Sequence, residues 1–306
     1  MRFGVHTGLQ YTSVEELRAL WRRVEERGFE WISIWDHFYA ADATFAGGEI
    51  TSGSVCLEAV AMHAALACET TSVQCGSLVY SIGYRHPAVL ANAIATIDHL
   101  SGGRAVLGLG AGWHEAEYSA YGIPFPAAPV RLRQLDEAIQ CVRLLLTEDS
   151  SNFDGEHFQL RDARCDPKPV QERLPLWIGG GGERVTLGIV ARHADGWNVA
   201  FTTPEVYRHK VEVLESHCSQ VGRDPATLVK SVNLTLAWTD DDLRARFGGT
   251  ADFIRPSALT GSPAEMVDRI SAYKAAGADW VILALRAPFD LDDLDRFAAE
   301  VVPNVR

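Results

Sequence analysis

Eight short apolar runs, spread along the whole chain and separated by amphipathic stretches, limit the fold more than any other feature. They occupy residues 2–8, 31–36, 73–80, 105–110, 176–179, 196–200, 229–237 and 280–285. Several lack polar alternation, as expected of parallel strands buried on both faces. The stretches between them read as helices. Ser13-Val14-Glu15-Glu16 is a capping box, and Leu17, Leu20, Trp21 and Val24 continue it as an apolar stripe that Gly28 ends. Ser262-Pro263-Ala264-Glu265 opens a second helix in the same way. Gly277-Ala278-Asp279-Trp280-Val281 echoes Gly28-Phe29-Glu30-Trp31-Ile32, which is one unit repeated: helix, glycine stop, acidic residue, buried strand.

Eight strand–helix units satisfy a closed α/β architecture, the (β/α)8 TIM barrel. The rival, a doubly wound sheet, normally has fewer strands and a glycine-rich turn after the first. Here the first strand runs into Leu9-Gln10-Tyr11-Thr12. At roughly 150 residues per domain, a chain of 306 would make two domains, but barrels run to about 250 as one. We therefore expect a single domain over 1–306. The excess falls in two stretches that break the rhythm. Residues 38–54 are expected to form a loop on the C-terminal face. Residues 147–175 carry Asp154-Gly155 between apolar residues, the mark of an inserted hairpin.

Composition narrows the function classes. The net charge of −12 disfavours phosphate backbones and anionic membranes, so neither nucleic acid nor a membrane is expected as partner. No apolar run reaches roughly 18 residues, and the N-terminus shows no signal-peptide pattern. Cys56, Cys68, Cys75, Cys141, Cys165 and Cys218 contain no C-x-x-C pair and read as small buried side chains in a reducing cytoplasm.

Four stretches at strand ends carry chemistry. Asp36-His37 ends the second run; the histidine suits proton transfer near neutral pH, and the aspartate is placed to orient or tune it. Ser77 and Ser81 interrupt the third run. Gly108-Leu109-Gly110-Ala111-Gly112-Trp113-His114-Glu115 follows the fourth; its glycines admit a flat ligand, with Trp113 to pack on a ring and His114 at its polar edge. Gly179, Gly180, Gly181 and Gly182, followed by Glu183-Arg184, open a helix after the fifth run and offer backbone N–H groups to a phosphate. Arg286, at the end of the eighth, is placed to meet an anionic substrate or to make a surface ion pair. Trp35, Tyr39, Trp113, Trp177 and Trp238 supply aromatic surface to a pocket or to the core. No metal is expected, because H-x-x-x-H and H-E-x-x-H are absent, and G-x-S-x-G is absent too.

Taken in order, these sites resemble the bacterial luciferase-like family of flavin and deazaflavin barrel enzymes. The most specific stretches are Tyr84-Arg85-His86-Pro87-Ala88-Val89-Leu90-Ala91, Asp98-His99-Leu100-Ser101-Gly102-Gly103-Arg104 and Ile178-Gly179-Gly180-Gly181-Gly182-Glu183-Arg184, continuing to Ala194-Asp195-Gly196-Trp197-Asn198. The likeness covers nearly the whole chain and is greatest to the branch that uses coenzyme F420, whose Asp-His pair is matched by Asp36 and His37. The resemblance implies a non-proline cis peptide at Ser77–Leu78 backing the cofactor ring, and Tyr80 near that ring. It also implies His114 at the cofactor's polar edge, and Gly181 and Gly182, with Glu183 adjacent, at its phosphate. Substrate would stack beside His37 and Trp113. The sugar-phosphate dehydrogenases of that branch carry a glutamate in the loop after strand four, where Ala111 stands. That departure argues against their substrate and leaves His37 as the proton carrier.

The reading that follows is an F420-dependent oxidoreductase acting on a small organic substrate, possessing a homodimeric assembly and a separate cofactor reductase as partner. The alternatives are a reduced-FMN monooxygenase and a non-enzymatic barrel that holds a flavin-like ligand.

Overall fold

The computed structural model describes residues 1–40 and 55–305. Eight parallel strands close into a barrel: β1 (Arg2–Thr7), β2 (Trp31–Ile34), β3 (Gln74–Ser77), β5 (Ala105–Gly110), β8 (Leu176–Gly179), β9 (Gly196–Ala200), β10 (Val229–Thr235) and β11 (Trp280–Leu285). Pairing runs β3-β2-β1-β11-β10-β9-β8-β5, and β3 with β5 completes the ring. All eight apolar runs become barrel strands. The third is interrupted: after Ser77 the chain leaves the ladder and rejoins β5 as β4 (Tyr80–Ser81). An antiparallel hairpin, β6 (Ser151–Asp154) and β7 (Gln159–Ala163), stands in the 147–175 segment. Most of the expected loop at 38–54 lies outside the described residues.

Both capping boxes form, at Ser13 with Glu16 and at Ser262 with Glu265. Leu17, Leu20, Trp21 and Val24 are buried on one face of the helix Val14–Glu26. Successive strand side chains point to opposite faces, so each strand serves two cores. Phe3, Val5, Ile32 and Ile34 join the large cluster under the helices. Trp31, Val106, Trp177, Trp280 and Ile282 form a separate cluster with Leu78. Within it Trp31 stacks on Trp177 at 4.6 Å and meets Trp280 edge-on at 6.0 Å. These indoles plug the N-terminal half of the barrel. A Cβ at Gly76 would lie 2.5 Å from Trp31 Cζ2, so that glycine gives Trp31 its space. Toward the C-terminal end the inward positions are small or polar instead: His6, Gly8, Gly110, Gly179, Asn198, Asn233 and Ala284. A cavity opens there because the sequence stops filling it.

The Asp98–Arg104 stretch is a structural knot. The Arg104 guanidinium donates to the carbonyls of Ser101 (2.7 Å), Val73 (2.7 Å), Ala67 (3.0 Å) and Thr70 (2.7 Å), and to Thr70 Oγ1 (3.0 Å). It thereby serves the C-terminal ends of the helices Ala59–Glu69 and Pro87–Ser101, where carbonyls have no partners of their own and a cation is favoured. Asp98 is buried and accepts from Gln171 N (3.0 Å) and Gln171 Nε2 (2.7 Å). Cys75, Cys141, Cys165 and Cys218 are buried, Cys56 is half-buried and Cys68 is exposed. Among the described residues no helix is long and apolar enough to cross a membrane.

Candidate active site

The cavity at the C-terminal end of the strands holds about 510 Å³. Of the residues singled out in the sequence, Trp35, Asp36, His37, Leu78, Ser81, Trp113, His114, Gly179, Gly180, Gly181, Gly182 and Arg286 line it. His37 sits between two indoles, edge-on to Trp35 at 4.9 Å and to Trp113 at 5.4 Å. The Arg286 guanidinium lies over the Phe247 ring, 4.6 Å from its centroid. Among the described lining residues Arg286 is the one lysine or arginine.

Several expectations need correction. Asp36 does not orient His37. Its Oδ2 is held by Ser81 N (3.0 Å) and Arg85 Nη1 (2.7 Å), while burial pushes its carboxyl up against the pull of that guanidinium. The partner of His37 is Glu117, which the sequence reading missed. Oε2 of Glu117 lies 2.9 Å from His37 Nδ1, 3.1 Å from His114 Nδ1 and 2.6 Å from the Tyr84 hydroxyl that donates to it. Oε1 accepts from Phe38 N and Tyr39 N, both at 2.8 Å. Burial alone would raise this carboxyl. The contacts of His114 and His37 outweigh it and hold Glu117 well below the usual carboxylate range. His37, His114 and Glu117 put ligand-type atoms within 4.8 Å of one another, which brings His37 to the i,i+3 pair of His114 and Glu117. The His37 contact is a hydrogen bond, whereas the His114 contact is close in distance alone.

The non-proline cis bond is one residue later than expected, at Leu78–Val79. Val79 lines the cavity, and Gly110 makes room for it: a Cβ there would lie 2.6 Å from Val79 Cγ2. Ser77 is not on the wall. Its hydroxyl donates to Gly108 O (3.0 Å) and accepts from Gly108 N (3.1 Å), latching β3 to β5. Tyr80 points outward, because the bulge shifts the alternation. It is fully buried, with its hydroxyl 3.0 Å from His63 Nδ1. Tyr39 packs edge-on against Tyr121 instead of lining the cavity. Glu183 turns to Lys210 (3.0 Å) and is not part of the wall. The Gly180 amide is taken by Asn198 O at 3.0 Å, which leaves the next two amides for a ligand. Lys210, also unforeseen, donates to Gly181 O at 2.8 Å and braces this loop. Cys56 donates to His37 O, and burial pushes its thiol up to about 12, so it is not a nucleophile.

His6 is a further wall residue outside the sequence expectations. Its Nδ1 lies 2.9 Å from Ser33 Oγ, and burial, with His37 nearby, lowers its pKa from 6.5 to about 3. Burial likewise takes His63 from 6.5 to about 4. Both stay neutral in the fold, so below pH 6.5 only the unfolded chain takes up their protons. Their contribution to stability is complete above that pH and is lost as pH falls toward the folded values. Urea denaturation across this acid range should show stability falling by up to about 1.4 kcal/mol per pH unit for each histidine. His63→Gln should flatten that slope; an unchanged slope would show that His63 is not responsible.

The chain belongs to the luciferase-like monooxygenase family, whose model matches residues 1–254. An uncharacterized protein of Mycobacterium bovis is 35% identical over 190 residues, 61% of this chain and 63% of that protein. An F420-dependent glucose-6-phosphate dehydrogenase of Kineococcus radiotolerans is 30% identical over 226 residues, 73% of this chain and 64% of that enzyme. The chain thus spans a little under two thirds of the length of these curated relatives. The structure of an F420-dependent secondary alcohol dehydrogenase in complex with an F420-acetone adduct shares the fold, with a TM-score of 0.87 at 22% identity over 100% of this chain and 99% of that one.

Proposed function

We propose that the protein is an F420-dependent oxidoreductase acting on a small organic substrate, with His37 giving or taking the proton that accompanies hydride transfer. The observation that carries this reading is the meeting, in one cavity, of the Val79 bulge, the Gly181 and Gly182 loop and the His37 imidazole. The cavity fits such a cofactor on its own terms. The helix Thr186–His193 starts without a side-chain cap, and a Cβ at Gly182 would crowd Thr186 Oγ1 at 2.8 Å, so this loop is kept bare for a phosphate. Asp36 Oδ1 is buried, with no partner among the described residues, and remains as an acceptor for a ligand hydroxyl or ring N–H.

In this reading Gly181 and Gly182 hold the cofactor phosphate, Leu78 and Val79 back its ring, and His114 meets its polar edge. Bound there, the deazaflavin supplies a hydride donor or acceptor at C5. Trp35, Trp113 and Phe247 exclude water and favour an apolar substrate. With Arg286 the sole lysine or arginine among the described lining residues and Ala111 in the loop after β5, a neutral alcohol or carbonyl compound suits the wall better than a sugar phosphate.

The family's monooxygenase designation supports a second reading, a reduced-FMN enzyme using the same loop and bulge. Titrating the purified chain with F420 and with FMN separates the two. Saturable F420 binding, with FMN at least about tenfold weaker, is the expected result; the reverse order would replace the first reading by the second. Cofactor binding without turnover on any alcohol, ketone or aldehyde panel would favour a barrel that only holds the ligand.

A further inference from the structure

The two oxygens of Glu117 have separate duties. Oε1 accepts from two backbone donors, Phe38 N and Tyr39 N. Oε2 is hydrogen-bonded to His37 Nδ1 and accepts from the Tyr84 hydroxyl. An ionised carboxylate accepts hydrogen bonds and has none to give. The His37 imidazole must therefore turn its Nδ1–H toward it. In the neutral ring the lone pair then resides on Nε2, the remaining nitrogen of a side chain that lines the cavity.

We propose that Glu117 is a positioning residue that sets the tautomer of His37, leaving its Nε2 as the proton acceptor. Its catalytic consequence rests on the proposed reaction, whereas the tautomer rests on the hydrogen bond alone. The arrangement makes a sharp demand of Glu117→Gln. The two backbone donors need an acceptor, so the glutamine carbonyl takes the Oε1 place and its NH2 group takes the other. That NH2 donates to His37 Nδ1, which must then be unprotonated. The proton moves to Nε2, and the acceptor facing the cavity is lost in a change of one atom. In the Ser-His-Asp triad the aspartate orients its histidine by the same logic, and there the amide variant leaves the geometry intact but the tautomer wrong.

Long-range 1H–15N correlation spectra of the full-length, 15N-histidine-labelled protein at alkaline pH read the tautomers directly. The spectrum of His37→Gln assigns the His37 signals. The expected result is Nδ1–H at His37 in the wild type and Nε2–H at His37 in Glu117→Gln, with turnover reduced by at least about tenfold. An Nε2–H wild-type His37, or an Nδ1–H form that survives the substitution, overturns the proposal. The wild-type spectrum suffices if the variant does not fold. Absence of deazaflavin-linked turnover in the wild type, with the tautomer as stated, would refute the proposed reaction and leave this inference standing.

Discussion

Replacing His37 by alanine should lower turnover about 10²- to 10⁴-fold, the range that a positioned acid–base group contributes, while changing cofactor affinity by no more than a few-fold. The two effects separate because they arise on different elements. The imidazole follows β2 and is held by Glu117, whereas the glycine loop proposed for the phosphate follows β8 and is braced by Lys210. Removing the ring also removes its edge contacts with Trp35 and Trp113, so unfolding should be measured beside the kinetics. Steady-state turnover that stays at the wild-type level would remove His37 from the reaction. Loss of cofactor binding in parallel with turnover would reassign it to the ligand bed.

Arg104→Ala should be strongly destabilising although it lies outside the site, by about 1.5–3 kcal/mol, the scale for losing hydrogen bonds to a charged group and leaving their acceptors short of a donor. One guanidinium serves four carbonyls and a hydroxyl, and alanine leaves all of them without it. Arg104→Lys should recover only a minor part, because an ammonium has three donors and no planar fork to reach two helix ends at once. Denaturant midpoints at constant slope measure both variants. A loss below about 1 kcal/mol for Arg104→Ala would mean that water replaces the guanidinium without penalty. The expected effect gives a physical reason for a stretch that the sequence offered only as a family likeness: Ser101-Gly102-Gly103-Arg104 ends one helix, turns back through Gly102 and Gly103 at positive φ, and ties that end to its neighbour.

The barrel was legible because burial on both faces leaves an apolar run that survives without any partner being known, and all eight runs are strands. What the runs did not disclose is where a strand stops being regular. Leu78 and Val79 look like ordinary strand residues. The bulge between Ser77 and Tyr80 shifts the alternation and sends Ser77 and Tyr80 away from the cavity they were expected to face. At the site, residues next to strand ends were found by position: Asp36, His37, Trp113, His114 and Arg286 all reach the wall. Glu117 was missed because its partners lie about 80 positions away in sequence, though its i,i+3 spacing from His114 already puts the two side by side. The orienting half of the role given to Asp36 failed for the same reason, since Arg85 holds it from another turn of chain. His6 stands between Gly4 and Gly8 on an inward-facing register, a pattern readable once the inward face is known. Lys210 carries no local signal at all.

The tryptophan plug gives the molecule a division of labour along its axis that bears on how it can change. Trp31, Trp177 and Trp280 fill the lower half of the barrel, away from the cavity, so their replacement is a matter for folding. Two residues further along the same inward faces stand Ser33, Gly179 and Ile282, and beyond them the open mouth. A library confined to Trp35, Phe201, Phe247, Leu285 and Arg286 would redraw the substrate wall while leaving the plug and the Arg104 knot intact. Innovation in this chain can thus proceed from the rim inward without renegotiating the foundation.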